Sequence, residues 1–412
     1  MITQRHWPWP PWFWSVNDLS ELTAGPLAPG SFGVHAFSVQ SEVDGVEGLT
    51  LYVTYIVLGS NPNENPPEVH QLVYQGAFRA WQDSNLSVQV DPPVLIPDQK
   101  PAAYLFRARG TAHVIYLGFA SRNSQDPEIQ EFFADQSGWH GNNLSRATGA
   151  PSPARASPSA YVAEFEQAQH VHYVGRDGHL HELLWNSGGW HWHDLTVASG
   201  APLALPSTSP AGFVSEAART QHVYFVGQDG QVHGIRWKSG NWSPHDPDLV
   251  GGTPGSACVS PVGYSLDGVE RVAYVGLNGQ VHELSFDGNA WDHQNPSEDT
   301  NTFVRGNGEL AAYPGLIPGT RRIIVIPESG GSIQQLSNDG GGWESTVLLD
   351  SNGPNADKGA DAGARPGAFS APAALQEYVY YPSINFHVVE LVGRPSLRGP
   401  LPPSILSILL HR

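Results

Sequence analysis

The residues best suited to chemistry come in a phrase that repeats. At 170–185 the chain reads His-Val-His-Tyr-Val-Gly-Arg-Asp-Gly-His-Leu-His-Glu-Leu-Leu-Trp, and variants begin at His222 and Arg271. The phrase sets a cation or imidazole ahead of a carboxylate: His170 before Glu182, Arg271 before Glu283 and, in a longer copy, His113 before Glu131. Large aromatics stand close by, Trp185 and Trp237 at the end of one strand and Trp291 at the start of the next. A fixed donor, a fixed acceptor and an aromatic face are the parts of a sugar site, because hydroxyls need both hydrogen-bond partners and the C–H face of the ring needs an apolar one. The same Arg, His and Glu at strand positions can also pair across a β-ladder and solvate its surface, so both readings stand at any single position.

Placing these residues depends on the repeat. A Trp recurs at Trp81, Trp139, Trp190, Trp242, Trp291 and Trp343, a period of about fifty residues, which suits a four-stranded propeller blade. The strand opening the middle of each unit is traceable seven times, at 52–56, 113–117, 170–174, 222–226, 271–275, 322–326 and 377–381. Only six units are followed by a Trp strand of their own, yet residues 12–19 (Trp-Phe-Trp-Ser-Val-Asn-Asp-Leu) resemble 190–195 (Trp-His-Trp-His-Asp-Leu). The chain therefore reads as an all-β, seven-bladed β-propeller closed by an N-terminal strand. Residues 1–393 form one toroidal domain in this reading, and 394–412 a Pro-rich extension. Closure leaves only short, protected sheet edges.

Two positions per unit project toward the groove between blades. The first is held by Tyr52, His113, His170, His222, Arg271, Arg322 and Glu377, the second by Gln71, Glu131, Glu182, Gly234, Glu283, Gln335 and Glu390. The once-per-blade Trp is most simply blade-to-blade packing, whereas Trp185 and Trp237 are better placed for a cleft. Long loops at 59–68, 119–128 and 352–365 belong on the rims, where propellers build binding surfaces.

The phrase Tyr-Val-Gly-X-X-Gly-X-X-His-Glu-Leu, followed by Gly-X-Trp and Asp-Leu-Thr, resembles the repeat of the fucose-binding β-propeller lectins of fungi and their bacterial relatives. The resemblance covers nearly the whole chain and implies that an Arg, a Glu and aromatic residues bind fucose between blades. Carried over, Arg271 and Glu283 match the charged pair, with Trp291 the nearest repeat-derived aromatic. His170 with Glu182 and His113 with Glu131 match in part. Arg322 faces Gln335, Gly234 removes an acceptor and Glu377 reverses the sign, so one unit of seven keeps the full pair and few sites are implied. Hetero-Diels-Alderases of fungal secondary metabolism also look like such lectins. Their likeness implies an alternative, a cofactor-independent pericyclase holding a small apolar organic ligand in one apolar pocket.

Composition narrows the partners. With 39 acidic against 21 basic residues the formal charge is −18, a field that repels phosphate backbones, so nucleic acid is not an expected partner. Cys258 is the single cysteine, excludes an internal disulfide and reads as a small buried hydrophobe. The proline-interrupted start shows no leader, leaving a cytosolic protein or one secreted after leader removal. Residues 404–410 are too few to span a bilayer, which takes about 20. No Gly-X-Ser-X-Gly elbow, phosphate loop or His-Glu-X-X-His is present, so hydrolase and kinase chemistry lack a motif. The pairs His170/His172, His179/His181 and His191/His193 each share a strand face, a possible metal pair. With no Cys and no acid visibly in register they read as surface or stacking histidines, and no metal or cofactor is expected.

Overall fold

The computed structural model describes residues 12–27, 33–43, 46–57, 67–75, 80–90, 94–96, 99–119, 121, 124–247, 256–257, 259–304, 308–327, 330–361 and 364–395. Cys258, most of the 59–68 loop and the 404–410 tail lie outside them. The chain forms seven antiparallel sheets in a ring, a seven-bladed propeller. Blades are numbered here in chain order: one at 35–85, two at 94–143, three at 159–194, four at 211–244, five at 262–294, six at 311–349 and seven at 367–395. Blade two carries an added short strand, Val94–Leu95.

Blade three shows why the sequence folds this way. Its strands are Ser159–Ala163, Ala168–Val174, Leu180–Asn186 and Gly189–Asp194. The second is buried along its whole length, because neighbouring blades cover both faces, while the fourth is largely exposed at the rim. Aromatic and β-branched residues suit that doubly covered strand. Gly178 closes the turn between the second and third strands at φ +79°, a conformation that a side chain disfavours.

The core lies between blades. One cluster joins Ile115 and Leu117 of blade two to Val171, Tyr173 and Leu183 of blade three, and another joins Leu51, Val53 and Tyr55 of blade one to Tyr378 and Tyr380 of blade seven. Each buried side chain of this size contributes about 1.5–3 kcal/mol, available only when the next blade is present. First strands of successive blades touch around the ring and return from blade seven to blade one. They enclose a hub cavity of about 210 Å³ lined by Ser157, Ser209 and Ser260, with Lys100 and Glu309 in its wall. There Lys100 Nζ donates to the Pro366 carbonyl at 3.0 Å, and burial together with the Lys100 charge pushes His35 down to about 3.

Five one-turn helices interrupt the all-β pattern, too short to show a 3.6-residue period. All five described helices follow a fourth strand and are capped where it ends: Asp18, Asn85, Asn143, Asp194 and Asn295 each accept a backbone N–H three residues on. Asn143 is committed to this cap and also donates to Glu128.

Ring closure follows the expected route. Strand Trp12–Asp18 pairs with Val388–Pro395, with Asn17 opposite Glu390 and Trp12 opposite Pro395, so the last strand runs two residues past the expected boundary. Gly393 lets the Trp14 indole lie against the backbone, since a Cβ there would meet the ring at 2.7 Å. Asp18 fastens the strand: Oδ1 accepts the Glu21 N–H, and Oδ2 lies 2.7 Å from both Lys358 Nζ and His387 Nδ1. Lys358 comes from the long 352–365 insertion, which thus serves closure.

Burial opposes ionisation of Asp18, but the bonds from Lys358, the Glu21 amide and His387 outweigh it and hold the carboxyl below its ordinary value. A depressed carboxyl stabilises the fold above its unfolded value of 3.8 and loses that contribution as pH falls through the folded value. Asp18→Asn is expected to cost roughly 2–4 kcal/mol at neutral pH, from a weakened cap and an unpaired Lys358. Melting followed by circular dichroism should show the gap from wild type closing below about pH 4. A gap that is absent at pH 7, or constant down to pH 2, would mean that the backbone ladder alone closes the ring.

Candidate functional site: the clefts between blades

Strand alternation sorts each blade into two faces. In blade three His172 pairs with Glu182, and Glu182 with His193, while Tyr161 pairs with His170, so these side chains share the face toward blade four. Trp185 pairs with Trp190 three positions away, on the face toward blade two. Every cleft therefore takes its polar pair from one blade and its indoles from the next.

The cleft between blades two and three has a volume of about 280 Å³, lined by His113, Glu131 and Asn142 on one side and Gln169, Trp185 and Trp190 on the other. His113 Nδ1 lies 2.8 Å from Glu131 Oε1, and Asn142 Nδ2 donates to Oε2 at 3.2 Å. The imidazole is held flat against Tyr104, centroids 5.0 Å apart, and its Nε2 meets Thr111 Oγ1 at 2.7 Å. Phe106 packs edge-on to Trp185, and the Arg109 guanidinium stacks 4.6 Å from that ring.

The cleft between blades three and four is larger, about 580 Å³, with Glu166, His170, Glu182 and His193 facing Trp237 and Trp242. Glu182 Oε1 lies 2.9 Å from His170 Nδ1 and 3.4 Å from His172 Nε2, and Oε2 lies 2.9 Å from His193 Nδ1. Burial opposes ionisation of Glu182, yet the imidazoles of His170, His172 and His193 around it hold it well below the ordinary carboxylate value. Burial likewise disfavours the charged form of both histidines behind it. Bonds to Glu166 and Glu182 overcome this at His170, which is raised, while His172 stays lowered.

A third position, one residue before the strand-opening one, proves decisive and was not singled out in the sequence. It reaches back across the cleft to the preceding blade. Gln169 accepts from Tyr104 at 3.0 Å, and Gln221 accepts from Tyr161 at 2.9 Å. In blade five the residue is Glu270, which meets His222, His245 and Tyr224 of blade four at 3.1, 2.8 and 3.1 Å, in a cleft where Gly234 supplies no acid. In blade six it is Arg321, bonded to Glu283 at 2.8 Å and Gln294 at 2.7 Å, with its guanidinium 5.0 Å from the Trp343 ring. In blade seven it is Glu377, which lies 3.3 Å from Arg322 and accepts from Gln335 at 3.1 Å.

This corrects three sequence assignments. Tyr378, not Glu377, pairs with Phe369 as His170 does with Tyr161, so the strand-opening position of blade seven is one residue later and Glu377 is the cross-blade residue. Trp291 is not beside Arg271 and Glu283: it pairs with Phe286, on the opposite face from Glu283, and packs against Tyr224 and His245 of blade four. Arg271 does reach Glu283, at 3.2 Å, but Glu283 is 1% exposed and also holds Arg321 and Tyr264. The tandem histidines do stack, His170 on His172 and His179 on His181, but His170, His172 and His181 are buried and, against expectation, an acid is in register, Glu182 opposite His172. His179, His191 and His193 remain partly exposed or exposed. Trp185 and Trp237 do line the clefts.

Among the described residues, three groups of His, Asp and Glu lie close enough to share an ion: His170 with His172 and Glu182, His222 with His245 and Glu270, and Asp18 with Glu21 and His387. Arg236 already stands 4.0 Å from Glu270, and Lys358 already occupies Asp18.

No family model and no curated protein matches the chain in sequence. Solved structures match its shape. A lectin from Burkholderia pseudomallei superposes with a TM-score of 0.62 at 14% identity, covering 90% of this chain and 99% of its own. The fucose-specific lectin from Aleuria aurantia gives 0.50 at 13%, covering 80% and 99%, and a variant of it in complex with alpha-methyl-L-fucoside gives 0.50 at 15%, covering 80% and 98%. The fold is that of a lectin propeller. Among the described residues no helix of this propeller is long and apolar enough to cross a membrane.

Glu283→Gln leaves Arg271 and Arg321 without their shared carboxylate, and such a buried break costs about 3–5 kcal/mol. Chemical denaturation should show that loss. A midpoint unchanged from wild type would mean that water, rather than Glu283, neutralises the two guanidinium groups.

Proposed function

We propose that the protein binds carbohydrate, fucose or a related glycan, in the clefts between blades two and three and between blades three and four. The observation that carries this reading is the neutral cross-blade residue. Where Glu270, Arg321 and Glu377 stand, the cleft closes on an internal ion pair; where Gln169 and Gln221 stand, the His/Glu pair faces a cavity walled by indoles.

The chemistry suits a pyranose. Trp185 with Trp190, or Trp237 with Trp242, offers a flat apolar surface for the C–H face of the ring, and Arg109 must swing off Trp185 to uncover it. Hydroxyls then find acceptors in Glu131 or Glu182 and donors in Asn142 or the imidazoles. His113 and His170 orient the carboxylates of Glu131 and Glu182, which orders the acceptor before the sugar arrives. The lectin neighbours, one of them solved with alpha-methyl-L-fucoside, support fucose as the first sugar to try. Two clefts give modest avidity through bivalency. The pericyclase alternative draws no support from the cavities: all four described have charge in their walls, from Lys100 and Glu309 at the hub to Glu166 and Arg219 near Trp237. An apolar substrate would have to dehydrate those groups.

Glycan-array screening followed by calorimetry tests the proposal. Trp185→Ala and Trp237→Ala are each expected to weaken their own cleft about tenfold, roughly 1.4 kcal/mol, and together to abolish retention on a fucosylated surface. Arg271→Lys should leave binding unchanged. Wild-type protein that retains no glycan, or binding that survives the double change and fails with Arg271→Lys, would refute the assignment.

A further inference from the structure

We propose that His170, His172 and Glu182 form a site for a divalent transition-metal ion of the zinc class, with His193 positioning Glu182 at the mouth of the same cleft. Strand geometry supplies the donors. His170 and His172 are two residues apart on Ala168–Val174, so both imidazoles leave the same face, with planes 9° apart and centroids 6.2 Å apart. Glu182 stands directly opposite His172 on the next strand, and His193 directly opposite Glu182 on the one after. His170, His172 and Glu182 each bring a ligand atom within 4.8 Å of the others, a set of two imidazoles and one carboxylate that zinc accepts with its fourth position open. Glu182 Oε1 lies 2.9 Å from His170 Nδ1 and 3.4 Å from His172 Nε2, close to the edge of about 3.3 Å that a tetrahedron with bonds of about 2.05 Å requires, while His193 Nδ1 holds the other oxygen, Oε2, at 2.9 Å.

A second observation points to an ion. His172 is 0% exposed, yet neither of its ring nitrogens has a hydrogen-bond partner, and Nε2 points toward Glu182. A buried imidazole left in that condition is costly, and a metal bond would satisfy Nε2. Tyr161 stacks on both rings at 5.2 and 5.4 Å, and Gly212 of blade four makes room for His172, where a Cβ would come within 3.0 Å of Nδ1. Behind His170, Glu166 lies 3.7 Å from Nε2 and is itself held by Gln221 at 2.6 Å. A carboxylate on the far nitrogen turns Nδ1 toward the ion, the outer-shell arrangement common to metal-binding histidines. Among the described residues no Lys or Arg is ion-paired to Glu182, unlike the clusters at Glu270 and Asp18.

Metal binding is separable from carbohydrate binding, because it is measured without glycan. Tag-free protein, stripped with chelator and dialysed, is titrated with Zn²⁺ by calorimetry and with Co²⁺ by visible absorption. One ion per chain and intense tetrahedral Co²⁺ bands are expected. His172→Ala should abolish both signals, Glu182→Gln should weaken binding at least tenfold, and His245→Ala in the next cleft should change neither. His193→Ala alters an exposed side chain, so it guards against misfolding of the buried variants and should weaken binding about tenfold. Absence of stoichiometric binding in the wild type, or binding that persists unchanged in both His172→Ala and His193→Ala, would overturn the site.

Discussion

The constraint on which the clefts depend is the neutralisation of buried charge. Each cleft from blade two to blade seven places at least one carboxylate or guanidinium where it is nearly free of water, and an uncompensated charge there would cost several kcal/mol. The chain meets this constraint by a rule of compensation across blades. Where a blade lacks its own acid, at Gly234 and Gln335, the next contributes Glu270 and Glu377. Where the acid is present beside an Arg, at Glu283, the next contributes Arg321. Where the acid is served by histidine, at Glu131 and Glu182, the next contributes only glutamine. The balance sets an ion pair across three of these clefts and a neutral glutamine across the two that border the cavities at Trp185 and Trp237.

Ring closure obeys the same logic. Glu390 is buried with Asn17 and Tyr380 as neutral donors, and burial raises its carboxyl above the ordinary value. Charge is compensated instead at the outer end of the N-terminal strand, where Asp18 collects a lysine, an imidazole and a helix N–H. The strand thus contributes a ladder, an indole packed on Gly393 and a cap in one short segment.

Packing between blades and polar recognition use opposite faces of the same strands. Val171, Tyr173 and Leu183 face blade two, while His170, His172 and Glu182 face blade four. The cavities at Trp185 and Trp237 are parts of the inter-blade interface that remain partly unfilled. This explains why the indoles that pack blades together, Trp190 and Trp242, also line cavities.

The seven-blade count, the strand at residues 12–18 and the pairing of His113 with Glu131, His170 with Glu182 and Arg271 with Glu283 were all legible in the chain, because repeat period and strand alternation are local properties. The short helices were not, since one turn carries no periodicity; nor was the register of blade seven, where Glu377 and Tyr378 are both plausible at the edge of a strand. The partner of each pair depended on tertiary structure alone. Trp291 is close to Glu283 in sequence and lies on the other side of the sheet, whereas Arg321, in the following blade, meets it and carries Trp343 against its guanidinium. Sequence determines which side chains share a strand face. Only the stacking of one blade on the next decides what that face meets, and therefore whether a buried acid holds a cation of its own chain or stands beside a cavity.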